Sequence, residues 1–404
     1  MKCIVKNQFY KFQTFNFKNY IRKNRIITMS KLPNTTASIF SVMSQLANQH
    51  NAINLSQGFP NFPVDKRLLK ISERLLSENI HQYTPMAGLP SLLHKIALLT
   101  QENYQRIINT NSELLITTGA TQGIFTAINT FIKNGDEAII LDPSYDSYEP
   151  SVLVAGGKPV RVSLNDDYTP NFNKIASAIT SKTKLIIINN PHNPTGKIWS
   201  ENDFEALETL LEKHPQVLLL SDEVYEYISF KHQHISANTR PKLIDKTIIA
   251  SSFGKSLHVT GWKVGYLIAP EALMKEIKKI HQFLVFSVNS IAQHVISEYL
   301  DIVDFNEVAK MYERKKTLFQ NALKDSKFEL LPSEGTYFQI VNYKGISTEN
   351  DMDFAKKLIT QHGVAAIPIS VFYEDATDKQ MLRFCFAKTD ETLLAAADKL
   401  VKVV

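Results

Sequence analysis

Lys255 sits among small residues in Ser251-Ser252-Phe253-Gly254-Lys255-Ser256, directly after the strand-like run Thr247 to Ala250. A second lysine, Lys263, follows in the Gly-rich turn Thr260-Gly261-Trp262-Lys263-Val264-Gly265. A lysine amine attacks a carbonyl only when neutral, which requires desolvation or a neighbouring cation. Small neighbours leave room for a bulky aldehyde to approach and form a Schiff base. A solvated surface position is the commoner fate of a lysine, so other segments have to decide.

Three segments bear on it. Asn189-Asn190-Pro191-His192-Asn193-Pro194-Thr195-Gly196 follows the apolar run Leu185 to Ile188. Prolines on either side of Asn193 keep it out of helices and central strands. The loop therefore presents an amide at a strand's C-terminal end, where open α/β sheets bind ligands. Val217 to Leu220 reads as a strand buried on both faces and ends in Ser221-Asp222-Glu223-Val224-Tyr225. Asp222 beside such a wall needs a cationic partner; a helix N-cap is the simpler alternative. Leu114 to Thr117 runs into Thr118-Gly119-Ala120-Thr121-Gln122-Gly123 and then a helical pattern. Free N–H groups at that helix start favour a phosphate, although the spacing matches neither GxGxxG nor a P-loop. Pyridoxal phosphate offers all three complements: an aldehyde, a pyridinium N–H and a phosphate.

Taken in order, these pieces and Arg383 resemble the fold type I, class I/II aminotransferases, over about residues 30 to 404. Asn54 to Pro60, Asp142 to Tyr148 and Thr260 to Gly265 are similar to the kynurenine/glutamine aminotransferase branch. Within it, Phe286 to Asn289, Glu334 to Phe338 and Gly363 to Pro368 are most similar to bacterial methionine aminotransferases. The resemblance implies an α/β fold: a large domain with a mainly parallel seven-stranded sheet between helices (62–295), plus a smaller α+β domain (30–61 and 296–404). It implies a pyridoxal phosphate enzyme that moves an amino group from methionine, glutamine or aromatic amino acids to a 2-oxo acid by a ping-pong mechanism.

The same resemblance implies the roles. Lys255 holds the cofactor and later moves a proton, which is most efficient if it titrates near working pH. Asp222 keeps the pyridine nitrogen protonated, making the ring an electron sink. Tyr225 and Asn193 bond the phenolate oxygen, and Tyr145 stacks on the ring. Gly119, Ala120, Thr121, Ser252 and Lys263 hold the phosphate; Lys263 stands where many relatives have arginine. Arg383 clamps the substrate α-carboxylate, assisted by Gly58 and Asn193. Tyr148 and Phe286 wall the side-chain pocket, Phe286 reaching across to a partner subunit. Tyr83 reaches the partner's phosphate, so the active sites are shared within a homodimer. A carbon–sulfur β-lyase on the same scaffold is the alternative enzyme. A pyridoxal phosphate-binding regulator would need a DNA-binding module, and the 29 residues before Ser30 are too short for one.

Composition agrees. With 44% hydrophobic residues there is ample core, and the net charge of +5 is spread along the chain. Part of it lies in residues 1–29, which hold seven Lys/Arg and no Asp or Glu. We read that stretch as a disordered extension or a start-site artefact, with Met29-Ser30-Lys31-Leu32-Pro33 as the start. The near balance of the remainder argues against a nucleic-acid surface. Cys3 and Cys385 make no disulfide framework and fit a reducing cytoplasm. No run of 18 apolar residues suggests a membrane span. His81, His192 and His281 show no metal-ligand spacing and read as non-catalytic.

Overall fold

Apolar runs bounded by turn residues become the strands of one central sheet. The computed structural model describes residues 30–33, 35, 37–230 and 234–404; the expectations for residues 1–29 and for Cys3 lie outside these. Seven strands form the sheet: β1 (Leu114–Thr117), β2 (Glu137–Asp142), β3 (Lys158–Ser163), β4 (Thr183–Asn189), β5 (Leu218–Asp222), β6 (Thr247–Ser252) and β7 (Gly265–Ile268). Their order is β1-β7-β6-β5-β4-β2-β3. Within it β7 alone runs against its neighbours, pairing antiparallel with β6 and β1.

Alternate residues of each strand feed two cores. Ile186 and Ile188 join one and Leu185 and Ile187 the other, all nearly inaccessible to water. This double burial explains the unbroken apolar runs. β3 lies at the sheet's edge and is mostly half-buried or exposed, with Pro159 tolerated because one side of an edge strand needs no ladder partner.

A second, antiparallel sheet contains β8 (Glu329–Leu330), β9 (Phe338–Asn342), β10 (Ile367–Pro368) and β11 (Met381–Cys385). It shares a third core with the helices Ile39–Gln49, Phe305–Ala322, Asp351–His362 and Asp390–Leu400. The sequence alone predicts a long helical pattern from the Lys275 region to Asp325; the structure divides it into three helices, Glu271–Leu284, Ser290–Tyr299 and Phe305–Ala322. The breaks have local causes. Phe286 adopts a positive φ of 65°, and the side chains of Asn289 and Asp304 cap the next two helices. Among the described residues no helix is long and apolar enough to cross a membrane.

The strand register sets the site. Asn189 pairs with Asp222, and Asp222 with Ala250, so the C-terminal ends of β4, β5 and β6 lie side by side. β11 brings Arg383 into register with Ile340 and Ile367, at the centre of the smaller sheet.

Candidate active site

A cavity of about 270 Å³ opens at those strand ends. Gly58, Gly119, Ala120, Thr121, Tyr145, Asn193, Asp222, Tyr225, Ser252, Lys255, Lys263 and Arg383 all line it. Segments read separately in the sequence thus converge on one space.

Lys255 projects from a single helical turn, Phe253–Ser256, that follows β6. Its Nζ lies 3.5 Å from the Gly58 carbonyl and 5.7 and 5.8 Å from the ring centres of Tyr225 and Tyr337. Burial, reinforced by the cations of Arg383 and Lys263 and opposed by Asp222, brings its ammonium down to about 8. A useful fraction of neutral amine is therefore present near neutral pH.

Asp222 ends β5 and is almost wholly buried. Burial pushes its carboxyl up to about 6, against the opposing hydrogen bond from Tyr148. The Tyr148 hydroxyl donates to Oδ2 at 2.5 Å. This corrects the expectation for Tyr148: it is 2% exposed and lies outside the cavity lining, so it cannot wall a substrate pocket. The physical reason is its place at the start of the helix Tyr148–Val154, where the ring packs into the core under the sheet. Tyr145, three residues earlier, faces the cavity instead.

Asn193 is held by its neighbours. Its N–H donates to Asn189 Oδ1 at 2.7 Å, while Asn189 Nδ2 donates to the Asp222 carbonyl at 2.9 Å. Buried His192 is kept neutral, with its imidazolium pulled down to about 4 by desolvation. Its ring spans Thr195 Oγ1 at 2.7 Å and the Pro143 carbonyl at 3.1 Å. It therefore props the loop.

Arg383 is 1% exposed. Nη1 donates to Asn193 Oδ1 at 2.6 Å, and buried Nε has no partner among the described residues. The guanidinium lies 3.8 Å from the Phe338 ring centre, 5.0 Å from Phe372 and 5.4 Å from Phe40. Sequence reasoning missed this aromatic bed, because its members lie on an α-helix, a strand and a 3-10 turn far apart in the chain. It also missed Asn189, which the strand register could have exposed, and Tyr337, whose hydroxyl donates to the Gly58 carbonyl at 2.5 Å. Lys388 Nζ donates to the carbonyls of Gln57 and Phe59 at 3.2 and 2.7 Å, fixing the same loop.

Tyr83 and Phe286 are not brought to this cavity. Their rings pack edge to face at 5.3 Å on the surface, 80% and 53% exposed.

The residues present fit pyridoxal phosphate. The helix Gly119–Phe131 starts without a side-chain cap, leaving its first N–H groups free to bind an anion. Lys263, held at φ 55°, brings its ammonium against Gly119 and has no ion-pair partner among the described residues. Gly265 is needed here: a Cβ would sit 2.6 Å from the Ser251 carbonyl and 2.8 Å from Ala120 N. Ser252 lines the same cavity, where its hydroxyl would complete a phosphate cradle. Asp222 offers the ring nitrogen a buried carboxylate. Among the described residues no group of three or more His, Cys, Asp or Glu could hold a metal.

Comparison with known proteins agrees with this geometry. The family description "Aminotransferase class I and II" matches residues 50–400. Methionine aminotransferase of Escherichia coli is 42% identical over 387 residues, covering 93% of this chain and 98% of the relative. Kynurenine–oxoglutarate transaminase of Dictyostelium discoideum is 33% identical, covering 91% and 94%. The crystal structure of E. coli YbdL, reported with a methionine aminotransferase function, superimposes with a TM-score of 0.91 at 41% identity, covering 93% of this chain and all of that one. The relatives named here are transaminases, which sets aside the β-lyase alternative. The chain belongs to the class I and II aminotransferases, enzymes that use pyridoxal phosphate to move an amino group between amino acids and 2-oxo acids.

Proposed function

We propose that methionine is the preferred amino donor, with glutamine and aromatic amino acids behind and aspartate disfavoured. The observation that carries this is the cavity wall. Phe40, Phe59 and Phe338 join Tyr145 around it, and Lys255, Lys263 and Arg383 are the only Lys or Arg among the described residues that line it. Arg383 serves the α-carboxylate common to every amino acid, and Lys263 belongs to the phosphate cradle. A side-chain carboxylate would therefore be buried without a partner, at a cost above the gain from any apolar contact. A thioether against aromatic edges gains about 0.3–1.5 kcal/mol per contact. The names of the relatives support the same reading. Comparing kcat/KM for methionine and aspartate tests it; equal values overturn it.

The residue roles follow the chemistry. The bound cofactor supplies an aldehyde that condenses with amines and a protonated ring that withdraws electrons from the substrate α-carbon. Lys255 Nζ takes the proton from that carbon and returns it on the other side of the transfer. Asp222 stays charged against the ring nitrogen. Tyr225, whose phenol is pushed up by burial, donates its O–H together with the Asn193 amide. Arg383 and the Gly58 backbone orient the carboxylate. Phe40 and Phe59 cover the cavity and limit water.

The active unit we propose is a homodimer. Phe286, against which the Tyr83 ring packs, lies two and three positions from exposed Leu284 and Phe283 in the chain, and a concentration of apolar groups on a surface marks an interaction site. In the dimer Tyr83 reaches the partner's phosphate and Phe286 the partner's side-chain pocket. The grouping of the apolar cores supports a large domain over 62–295 and a smaller one in the flanking segments. The free thiol of Cys385 supports a cytoplasmic location.

A further inference from the structure

Two donors among the described residues reach the Asp222 carboxylate. The Val224 N–H lies 3.3 Å from Oδ1, a long contact, and the Tyr148 hydroxyl 2.5 Å from Oδ2. The second distance is that of a charge-assisted O–H···O bond. Both side chains are nearly sealed from water, Asp222 reaching only the cavity. The Tyr148 ring is wedged in the core beneath the sheet and touches Tyr145 edge to face at 5.7 Å. The turn 145–148 therefore does two things at once: Tyr145 faces the cavity and Tyr148 grips the acid at its floor.

The other groups around Asp222 do not duplicate this grip. Lys255, from the turn after β6, faces it as a charge, and Tyr225 and Tyr145 as phenols. Neighbouring Glu223 is engaged elsewhere, by Ser221 Oγ, Ala237 N and His234 Nε2 at 2.8, 2.9 and 2.9 Å.

We infer that Tyr148 is a positioning residue for transamination: its hydroxyl fixes Oδ2 of Asp222 and holds the carboxylate charged, leaving the cavity-facing lone pairs for the cofactor's ring nitrogen. The inference rests on the role of Asp222 given above. Without the hydroxyl, Oδ2 faces an apolar wall. Desolvation then favours the neutral acid, which cannot hold a protonated pyridine.

The test uses the full chain in four forms: unchanged, Tyr148→Phe, Asp222→Asn and both together. Tyr148→Phe keeps the packed ring and removes one oxygen. It is expected to lower kcat roughly 10- to 100-fold, the value of a hydrogen bond to a charged group, with KM changed less than about threefold. In the Asp222→Asn background the same change is expected to matter less than about threefold, because the partner charge is gone. A second readout needs no turnover. Infrared titration of the protein without cofactor, with the Asp222 band assigned by Asp222→Asn, should place the carboxyl midpoint near 6. Tyr148→Phe should raise that midpoint by about one pH unit or more, since a donor to the charged form is lost. Normal kcat in Asp222→Asn overturns the Asp222 role and this inference with it. Impaired Asp222→Asn beside a normal Tyr148→Phe, full additivity of the two, or an unmoved midpoint overturns the inference alone.

Discussion

Replacing Arg383 by lysine keeps the charge and removes the fork. The guanidinium has Nη1 committed to Asn193 Oδ1 at 2.6 Å, and Nε buried with no partner among the described residues. Its plane lies over Phe338 at 3.8 Å, between Phe372 and Phe40. A carboxylate arriving there meets a pre-aimed pair of donors. A lysine ammonium is a point charge that must choose between Asn193 and the substrate. One charge-assisted hydrogen bond is worth about 1.5–3 kcal/mol, so kcat/KM should fall roughly 10- to 150-fold from that loss alone. Loss of stacking adds about 0.5–2 kcal/mol. The expected total is on the order of 100-fold or more. Because the α-carboxylate is common to every donor, the factor should be the same for methionine and phenylalanine. Steady-state assays with both donors at several acceptor concentrations measure it, with the pyridoxal phosphate dissociation constant as a control. A loss below about threefold, or a factor that differs tenfold between donors, refutes the clamp.

Four further outcomes are expected. Lys255→Ala should abolish turnover, and borohydride treatment of the holoenzyme followed by peptide mass spectrometry should find the cofactor mass on Lys255; a label elsewhere removes the assignment. Gly265→Ala should destabilise the fold by about 3 kcal/mol, because its Cβ would meet three backbone atoms under 3 Å, and should weaken cofactor binding as Ala120 is displaced; unchanged melting and affinity contradict this. Among the described residues, buried His281 has no partner for either ring nitrogen, and its imidazolium is pulled down to about 4 by desolvation. The unfolded chain binds that proton near 6.5, so between 6.5 and 4 acid favours unfolding, by about 2 kcal/mol at pH 5; His281→Leu should lack that share of the acid loss, and an identical pH profile of denaturant midpoints would falsify the burial argument. Sedimentation should give twice the 45.8 kDa chain mass, and mixing inactive Lys255→Ala and Tyr83→Ala chains should restore activity in one hybrid site; a fully active monomer excludes the shared site.

Much of this architecture was legible in the sequence because the informative signals are local. Double burial leaves unbroken apolar runs, and each run ends in a turn whose residues cannot continue the strand. Asn193, Asp222 and Lys255 sit at such ends, so reading strand termini placed them correctly. What was not legible depends on contacts distant in sequence. The bed of Arg383 joins Phe40, Phe338 and Phe372, and no periodicity marks them as neighbours. Lys388 reaches the loop at Phe59 across 329 positions. Tyr148 was misplaced because two tyrosines three apart on one turn look equivalent in a sequence, whereas the backbone sends one ring into the cavity and the other beneath it. The helix breaks at Phe286 and Asp304 were lost because apolar periodicity continues across both.

The central claim, that this site transfers amino groups in two separable halves, is tested most directly by a single-turnover experiment. Purified holoenzyme is mixed with methionine in the absence of any acceptor, and the products are counted. The account predicts one equivalent of 2-oxo acid per site and no free ammonia. Subsequent addition of a second 2-oxo acid should then release one equivalent of the matching amino acid. Continued release of ammonia or a thiol without an acceptor, or no 2-oxo acid from any amino acid, would contradict it.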